Sequence, residues 1–580
     1  MKKIIIPLLL VISNLAISQS KDVKLSNKLV EQYYANQLKS KQKDASIQSH
    51  LWLTPILKEA VVNWNVLTDT AKKVFRRYTE RPEFGGTEKI YTKGNFKFHY
   101  TTNSGYDDED VDTKDTNGNG VPDYVENMAK KFDDDIYNKY HNITKLTVPP
   151  KDGTIGGDAL FDIYLSGYEA GDGVYGFVSP ENKIGDNPNS TTLTEDNAYT
   201  SYMVMRNNYS GFGNEDIALS VTAAHEYMHA VQMGYDNDIS AWFMEAVAVW
   251  SEDYVYPGYD DNLQFIIDLY GKPDVALNIE NGEASGSFDD HWYSVWMFPK
   301  YMTEHTDNSI IKNIYERCIS QKVIEAVDAE LKTNWNSSFN KMFNEFAMAN
   351  VLMTNNTNFA PYTYSRADVY KSTIEKNGGI KFENGKTPLN YTGADINWDS
   401  NTNGNKRLMR LSSDYFTLNA TKNFKIKFNP INKQINVFLL KLNNDSFEKV
   451  KADTKGEINV NDASNWSTFK ILIIRKDKEV TNTDSYNYNF TITKATPLMV
   501  ANTANVNVKI YPNPATDYIN ITGINTNSSI SIINKLGSVV YTKETSSNIR
   551  INTLDMKSGM YFISINNNNK ITVKKIIVSH

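Results

Sequence analysis

Residues 220–232 decide the fold of the central region and read Ser220-Val221-Thr222-Ala223-Ala224-His225-Glu226-Tyr227-Met228-His229-Ala230-Val231-Gln232. Apolar residues recur there at helical spacing, which predicts a helix over residues 216–233 that ends at Gly234. His225 and His229 then lie one turn apart on one face, because each residue advances about 100° around the axis. Two imidazoles so placed can bind one cation.

Glu226 follows the first of these histidines and points near the same cation without reaching it. A carboxylate in that position can take a proton from a water whose pKa zinc lowers towards ~7, and can later deliver it to a leaving amine. The HExxH spacing therefore favours a catalytic zinc site with Glu226 as general base. An ordinary helix in which the spacing has no role is the alternative.

A second helical pattern follows Ser240 and covers residues 241–253. Glu245 is surrounded there by Trp, Phe, Met, Ala and Val, where an unpaired carboxylate is costly to bury. A metal bond removes that cost, so Glu245 is the predicted third zinc ligand. Glu252, seven residues further on, is the alternative: it could bind the metal instead, orient a ligand histidine, or form a surface salt bridge.

These residues resemble the gluzincin metallopeptidases, in which two histidines of HExxH and a glutamate on a following helix bind catalytic Zn²⁺. The motif and the Trp242-Phe243-Met244-Glu245 run together resemble a family of secreted bacterial metallopeptidases over residues 97–350. The resemblance implies hydrolysis of peptide bonds in extracellular proteins. The interval from His229 to Glu245 is shorter than in thermolysin-like enzymes.

Peptide hydrolysis of this kind also needs a group that stabilises the developing oxyanion. A third helical pattern begins at His291-Trp292-Tyr293. Tyr293 is the predicted catalytic donor, and His291 is the alternative. Residues 201–205 have a strand pattern and are the predicted sheet edge that pairs with an extended substrate.

Residues 115–126 form a predicted loop for a structural Ca²⁺ ion. The twelve-position EF-hand pattern, with glycine at position 6 for the sharp bend, assigns the ligands to Asp115, Asn117, Asn119, Val121 through its backbone carbonyl, Asp123 and Glu126. Further acidic residues at 107–112 would repel these groups unless a cation were bound. An Asn/Gly-rich turn without an ion is the alternative.

The fold class that follows is multidomain α+β. Two lysines, an apolar run at residues 4–17 and the small residues Ala16-Ile17-Ser18 predict a signal peptide. The predicted parts are a signal peptide at 1–18, a helical N-terminal region or propeptide at 19–86, a zincin-like mixed α/β catalytic domain at 87–378, a β-sandwich at 379–497 and a small C-terminal β-sandwich at 503–580.

The last of these parts resembles the C-terminal sorting domain of the type IX secretion system in Bacteroidetes-type Gram-negative bacteria. The resemblance rests on residues 508–519, which contain Tyr511-Pro512-Asn513-Pro514, and on Ser558-Gly559-Met560-Tyr561-Phe562. It implies an interaction with that secretion machinery. We therefore expect a secreted protein, extracellular or on the outer cell surface.

Composition excludes several other classes of function. The net charge is −7 and basic residues form no stripe, so we expect no nucleic-acid partner. No segment is apolar for long enough to predict a transmembrane span. One cysteine, Cys318, allows no intramolecular disulfide. We expect a monomer that acts on a protein or peptide substrate; a surface adhesin or glycan-binding protein with a non-catalytic metal site is the alternative.

Overall fold

The computed structural model describes residues 21–42, 53–105, 109–167, 174–279, 289–376, 387–402, 408–478, 486–495, 508–524, 526–534, 539–567 and 570–580. The chain is multidomain and mixes helices with several β-sheets. It forms two compact units, one of residues 1–421, 426–458 and 464–492, the other of residues 422–425, 459–463 and 493–580. The predicted signal peptide and the predicted boundaries at 378–379 and 497–503 lie outside the described residues.

A five-stranded sheet organises the first unit. Its strands are β1 (Lys89–Lys93), β2 (Phe96–Tyr100), β3 (Phe161–Ser166), β4 (Gly176–Gly185) and β5 (Ala198–Arg206), in the spatial order β1-β2-β3-β5-β4. Strands β2, β3 and β5 run parallel, and β1 and β4 are antiparallel to their neighbours. The prediction that residues 201–205 form a free edge is wrong, because β5 is hydrogen-bonded on both sides and the edge strands are β1 and β4.

Side chains alternate across this sheet and divide the core of the first unit in two. Tyr164 and Tyr202 pack with the N-terminal helices on one face, whereas Ile163 and Met203 belong to the core on the other face. Successive residues of a strand point to opposite faces, so both faces are buried. The N-terminal helices on the first face are α1 (Lys21–Gln42), α2 (Leu53–Val62) and α3 (Asp69–Thr79).

The opposite face is covered by α4 (Asp123–Lys130), a helical continuation at Lys131–Ile143, and α5 (Glu215–Tyr235). Asn214 caps α5, since its side-chain oxygen accepts hydrogen bonds from the backbone N–H groups of Asp216 and Ile217. The helix continues through Gly234 instead of ending there. A Cβ at 234 would lie 3.1 Å from Cδ of Pro150, so this glycine allows close packing of the chain.

The remaining helices of the first unit complete its larger core. They are α6 (Ala241–Val255), α7 (Ile266–Gly271), α8 (Asp289–Ser294), α9 (Met297–His305), α10 (Ser309–Cys318), α11 (Val323–Asn334), α12 (Phe339–Leu352) and α13 (Ala367–Lys376). Cys318 is buried at the end of α10, and burial raises the pKa of its thiol to about 12. This thiol is packed as a small apolar group and is not activated as a nucleophile.

Residues 389–494 form two sheets in which most neighbouring strands are antiparallel. Their strands are β6 (Leu389–Tyr391), β7 (Ile396–Asp399), β8 (Ser412–Ala420), β9 (Phe424–Asn429), β10 (Ile435–Asn443), β11 (Ser446–Lys451), β12 (Glu457–Val460), β13 (Thr468–Arg475) and β14 (Asn489–Lys494). The orders are β11-β10-β13-β8-β6 and β12-β9-β14-β7.

The C-terminal residues are also rich in strands. These are β15 (Lys509–Tyr511), β16 (Tyr518–Thr522), β17 (Ser528–Asn534), β18 (Val539–Thr545), β19 (Ile549–Asn552), β20 (Gly559–Asn567) and β21 (Lys570–Val578). They form sheets of order β15-β16-β19 and β18-β17-β20-β21. Alternate isoleucines such as Ile530 and Ile532 fill the core between polar neighbours, which is the pattern of strands with one buried face.

Candidate metal centre

Helices α5 and α6 bring two histidines and one glutamate together inside the first unit. Ligand atoms of His225, His229 and Glu245 all lie within 4.8 Å of one another. The Nε2 atom of His225 is 3.1 Å from Glu245 Oε2, and the Nε2 atom of His229 is 3.5 Å from Glu245 Oε1. In the part of the chain that the structure describes, this is the one group of three or more His, Cys, Asp or Glu side chains with that geometry.

Gln232 sets the tautomer of His229. The amide nitrogen of Gln232 donates to the Met244 carbonyl (3.0 Å) and to the Tyr315 hydroxyl (2.8 Å), so its amide oxygen faces His229 Nδ1 at 2.8 Å. In the neutral ring, Nδ1 therefore carries the proton and Nε2 presents a lone pair to Glu245. Among the described residues, neither His229 Nε2 nor Glu245 Oε1 has a hydrogen-bond partner, although both are buried.

Glu252 orients the other histidine. Its Oε1 atom is 2.7 Å from His225 Nδ1, and this contact places the Nδ1 proton between the ring and the carboxylate. The Nε2 atom of His225 is then directed at Glu245. Of the two glutamates considered in the sequence, Glu245 lies with the ligand atoms and Glu252 lies behind the imidazole.

The electrostatics of this cluster match its short contacts. Burial by itself raises the pKa of the Glu245 carboxyl, but the imidazoles of His229 and His225 lower it to about 2. Burial lowers the pKa of His225, but hydrogen bonds with Glu245 and Glu252 raise it well above its ordinary value. Two carboxylates thus hold a proton on this imidazole, and a divalent cation at Nε2 would replace it.

Glu226 lies beside the ligand group without belonging to it. Its side chain lines a small cavity together with His225, Glu252 and Tyr293. Its Oε2 atom accepts a hydrogen bond of 3.0 Å from the hydroxyl of Thr54. Sequence reasoning missed Thr54, and no local pattern points to it, because it precedes Glu226 by 172 residues.

Tyr293, on α8, also faces the cluster. Its ring stacks on that of His225, with centroids 5.6 Å apart and an interplanar angle of 20°. Burial raises the pKa of its hydroxyl well above the ordinary value, and the charges of Glu245 and Glu226 add to this. The hydroxyl therefore stays protonated and can donate a hydrogen bond. His291 lies elsewhere, since its Nδ1 atom is 3.2 Å from Asp268 Oδ2.

The predicted calcium loop at residues 115–126 is curled around its own side chains. The Glu126 carboxylate accepts hydrogen bonds from the amides of Asn117 (2.8 Å) and Asn119 (2.7 Å). Asp115 accepts from the backbone N–H groups of Gly118 and Gly120, both at 2.8 Å. Hydrogen bonds therefore join the side chains at positions 3, 5 and 12, and the carboxylate at position 1 binds the loop backbone.

The other two predicted calcium ligands differ in their surroundings. Asp123 Oδ1 accepts from the backbone N–H of Thr116 at 2.9 Å, which lowers the pKa of this carboxyl. Val121 donates its N–H to Asn119 Oδ1 and contributes no side-chain oxygen. Gly120, at position 6, has a φ of 86°, as the sharp bend requires. Residues 107 and 108 of the neighbouring acidic run lie outside the described residues.

Comparison with known proteins decides the role of the C-terminal strands. Residues 509–579 match the family model of the secretion system C-terminal sorting domain. This chain carries a type IX sorting tail. Such a tail marks proteins that are exported and then secreted or attached to the surface, so the predicted localisation is confirmed. It also implies an interaction with the secretion machinery. The match covers the tail and does not extend to residues 21–495.

Other comparisons add little to the larger part of the chain. No curated protein matches it. A structure of PorZ, an essential surface component of the type IX secretion system of Porphyromonas gingivalis, is 18% identical over 16% of this chain and 14% of its own, with a TM-score of 0.13. A β-glucuronidase from glycoside hydrolase family 2 is 12% identical over 26% of this chain and 22% of its own, with a TM-score of 0.09. Within the described residues, every helix is too short or too polar to span a membrane.

Proposed function

We propose that residues 87–378 form a zincin-like, zinc-dependent metallopeptidase domain that hydrolyses peptide bonds of extracellular proteins. The observation that carries this proposal is the convergence of His225, His229 and Glu245, with Glu226 next to them but outside the ligand group. Export by the sorting tail is consistent with a substrate outside the cell.

The donor set fits a zinc ion. Two imidazole nitrogens and one carboxylate oxygen are the ligands of many catalytic zinc sites, which keep a fourth position for water or substrate. The buried atoms His229 Nε2 and Glu245 Oε1 face each other at 3.5 Å without a hydrogen-bond partner among the residues that the structure describes, and a cation bound between them would satisfy both. Gln232 and Glu252 behind the rings are the kind of partners that orient ligand histidines.

The protein's own residues would then divide the chemistry. Zinc supplies a Lewis acid that acidifies water and polarises the substrate carbonyl. Glu226 accepts the proton of the attacking water and delivers it to the leaving amine. Tyr293, kept protonated by burial, donates a hydrogen bond to the carbonyl oxygen as negative charge develops there.

Strand β4 offers a binding site for an extended substrate. It is a terminal strand of the described sheet, and its first residue, Gly176, lines the cavity that contains Glu226. A peptide can add to such an edge through main-chain hydrogen bonds, which hold the scissile bond in a fixed register.

The test combines metal analysis with matched substitutions in the full chain. The variant E226Q should retain one zinc ion per chain and hydrolyse casein or quenched peptides about 10²- to 10⁴-fold more slowly. Its control is E215Q, which changes an exposed glutamate at the start of the same helix and should leave the rate unchanged. Zinc is measured by mass spectrometry after dialysis.

Two further substitutions separate ligand from orienting residue. E245Q should lose zinc on dialysis, whereas E252Q should retain it with about 10- to 100-fold lower affinity. Wild-type protein that binds no zinc, or an E226Q variant of undiminished activity, contradicts the proposal. If the zinc-loaded chain hydrolyses nothing in broad peptide libraries, the alternative of a surface adhesin with a non-catalytic metal site is favoured.

A further inference from the structure

The N-terminal helices reach directly into the candidate metal centre. Thr54, in the first turn of α2, donates its hydroxyl proton to Glu226 Oε2 at 3.0 Å. The same hydroxyl oxygen accepts the backbone N–H of Val178 on β4 at 3.1 Å. Thr54 is 3% exposed and Glu226 is 9% exposed, so the contact is buried. One side chain thus engages both the proposed general base and the edge strand.

A peptide substrate would need both of the groups that Thr54 engages, the Glu226 carboxylate and the Val178 N–H of β4. An extended peptide added to β4 must hydrogen-bond to main-chain groups on its free edge, and the Val178 N–H is directed to that edge, away from β5. Glu226 must contact the attacking water, and one of its two carboxylate oxygens, Oε2, is hydrogen-bonded to Thr54. A peptide on the free edge of β4 therefore competes with Thr54 of α2 for the Val178 N–H.

A second polar contact, made by Lys58, holds α2 against the start of α6. Lys58, one helical turn after Thr54, donates to the backbone carbonyl of Ile239 at 2.7 Å and lies 3.4 Å from the sulfur of Met244. Met244 directly precedes the proposed zinc ligand Glu245. Helix α2 consequently contacts β4, α5 and the start of α6, the three elements that surround the cluster.

Apolar packing and an ion-pair network hold the rest of the N-terminal region in place. Leu53, Ile56, Leu57 and Ala60 of α2 are buried against the sheet face that includes Phe177. After α3, Arg81 binds Glu181 of β4 through two hydrogen bonds of 2.8 and 2.7 Å. The polar contacts at Thr54 and Lys58 are therefore the part of the interface that acts on the cluster itself.

We infer that α2 is a built-in inhibitor of the proposed peptidase: it occupies the substrate position on β4 and holds Glu226 through Thr54. This inference rests on the proposed function. The described state is the inhibited one, and displacement of α2 from β4 and Glu226 opens the site to substrate. The N-terminal helices thus cover one face of the sheet, and one of them, α2, also regulates access to the proposed active site.

The test weakens the two polar anchors without removing the apolar packing. Full-length, zinc-loaded proteins carry T54V, or T54V with K58M. The control is T79V, whose hydroxyl bonds only the backbone carbonyls of its own helix α3. We measure kcat/KM on quenched peptides, the Kd of a peptide hydroxamate, and zinc content.

We expect T54V to raise kcat/KM and tighten hydroxamate binding about 3- to 10-fold, because it removes two hydrogen bonds that favour the closed site. The double variant should exceed about tenfold, and T79V should match wild type. A lower kcat/KM in T54V would overturn the inference, since it would make Thr54 a positioning residue for Glu226.

The outcomes separate this inference from the proposed function. Equal hydrolysis rates and equal hydroxamate affinities in all four zinc-loaded proteins overturn the inhibitor and leave the peptidase intact. Chains that bind neither zinc nor hydroxamate overturn both. Thermal unfolding of each variant shows whether a change in activity accompanies a loss of folded protein.

Discussion

At the scale of single residues, the centre depends on side chains that never touch the proposed metal. The Gln232 amide can face His229 in one orientation only, because its nitrogen is already committed to Met244 and Tyr315. In the neutral ring, that commitment fixes the proton on His229 Nδ1 and leaves the Nε2 lone pair available to the proposed metal. Glu252 likewise binds Nδ1 of His225, so that Nε2 of this ring faces Glu245. The hydrogen bonds of Gln232 and Glu252 therefore orient the two histidines among the three proposed ligands.

Substitution of Gln232 tests that network. In Q232M a side chain of similar length fills the space, but His229 Nδ1 and the Met244 carbonyl lose their partner. We expect zinc affinity to fall about 10- to 100-fold. Competition with a fluorescent chelator measures this. The control Q434M alters an exposed glutamine of the β-rich region, and a Q232M protein with the affinity of Q434M contradicts the role assigned to Gln232.

At the scale of elements, the predicted calcium loop at residues 115–126 runs into the first turn of α4 (Asp123–Lys130). Three of its predicted ligands, Asn117, Asn119 and Glu126, are already joined by amide-to-carboxylate hydrogen bonds, so an ion would exchange these for metal bonds in a loop already bent at Gly120. The proposed Ca²⁺ is therefore a stabilising ion and not a conformational switch.

Calcium should accordingly raise the stability of the folded chain. With a Kd of about 10⁻⁴ to 10⁻³ M, as in extracellular modules, 10 mM Ca²⁺ adds roughly 1.4 to 2.7 kcal/mol to the free energy of unfolding. Calorimetry with and without a chelator measures the shift in Tm, and E126Q should abolish it. The same Tm in calcium and in chelator would contradict the assignment.

The elements also show where periodicity misleads. Residues 201–205 read as a strand, and they are one, but their pattern does not say whether neighbours lie on one side or both. Gly234 reads as a helix end, and α5 ends one residue later at Tyr235; the close approach of Pro150 and Asn187 is what requires glycine there. In both cases segments distant in sequence decide the outcome.

At the scale of the whole molecule, the sorting tail determines where the protein acts. Residues 509–579 match a domain that addresses proteins for export, and the proposed active site lies in the other compact unit. Export should therefore be separable from zinc binding. Deletion of residues 504–580 should leave the protein in the periplasm, as cell fractionation and immunoblotting will show, with zinc content unchanged. Normal export of the truncated protein would contradict the assignment.

The sequence by itself determined the features that local spacing encodes. One helical turn places His225 and His229 on one face, the apolar neighbours of Glu245 require a partner for its charge, and the motifs around Tyr511 and Tyr561 identify the sorting tail. Such patterns depend on residues a few positions apart, whose relative placement is fixed by the geometry of a helix or a strand.

Tertiary structure alone decided the rest. It placed Glu252 behind His225, made β4 the sheet edge, and brought Thr54 across 172 residues to Glu226. Each of these features depends on segments that share no periodicity and meet only when the helices and the sheet pack together. Hydrophobic burial selects that arrangement from the whole chain at once, so no local window of sequence contains it.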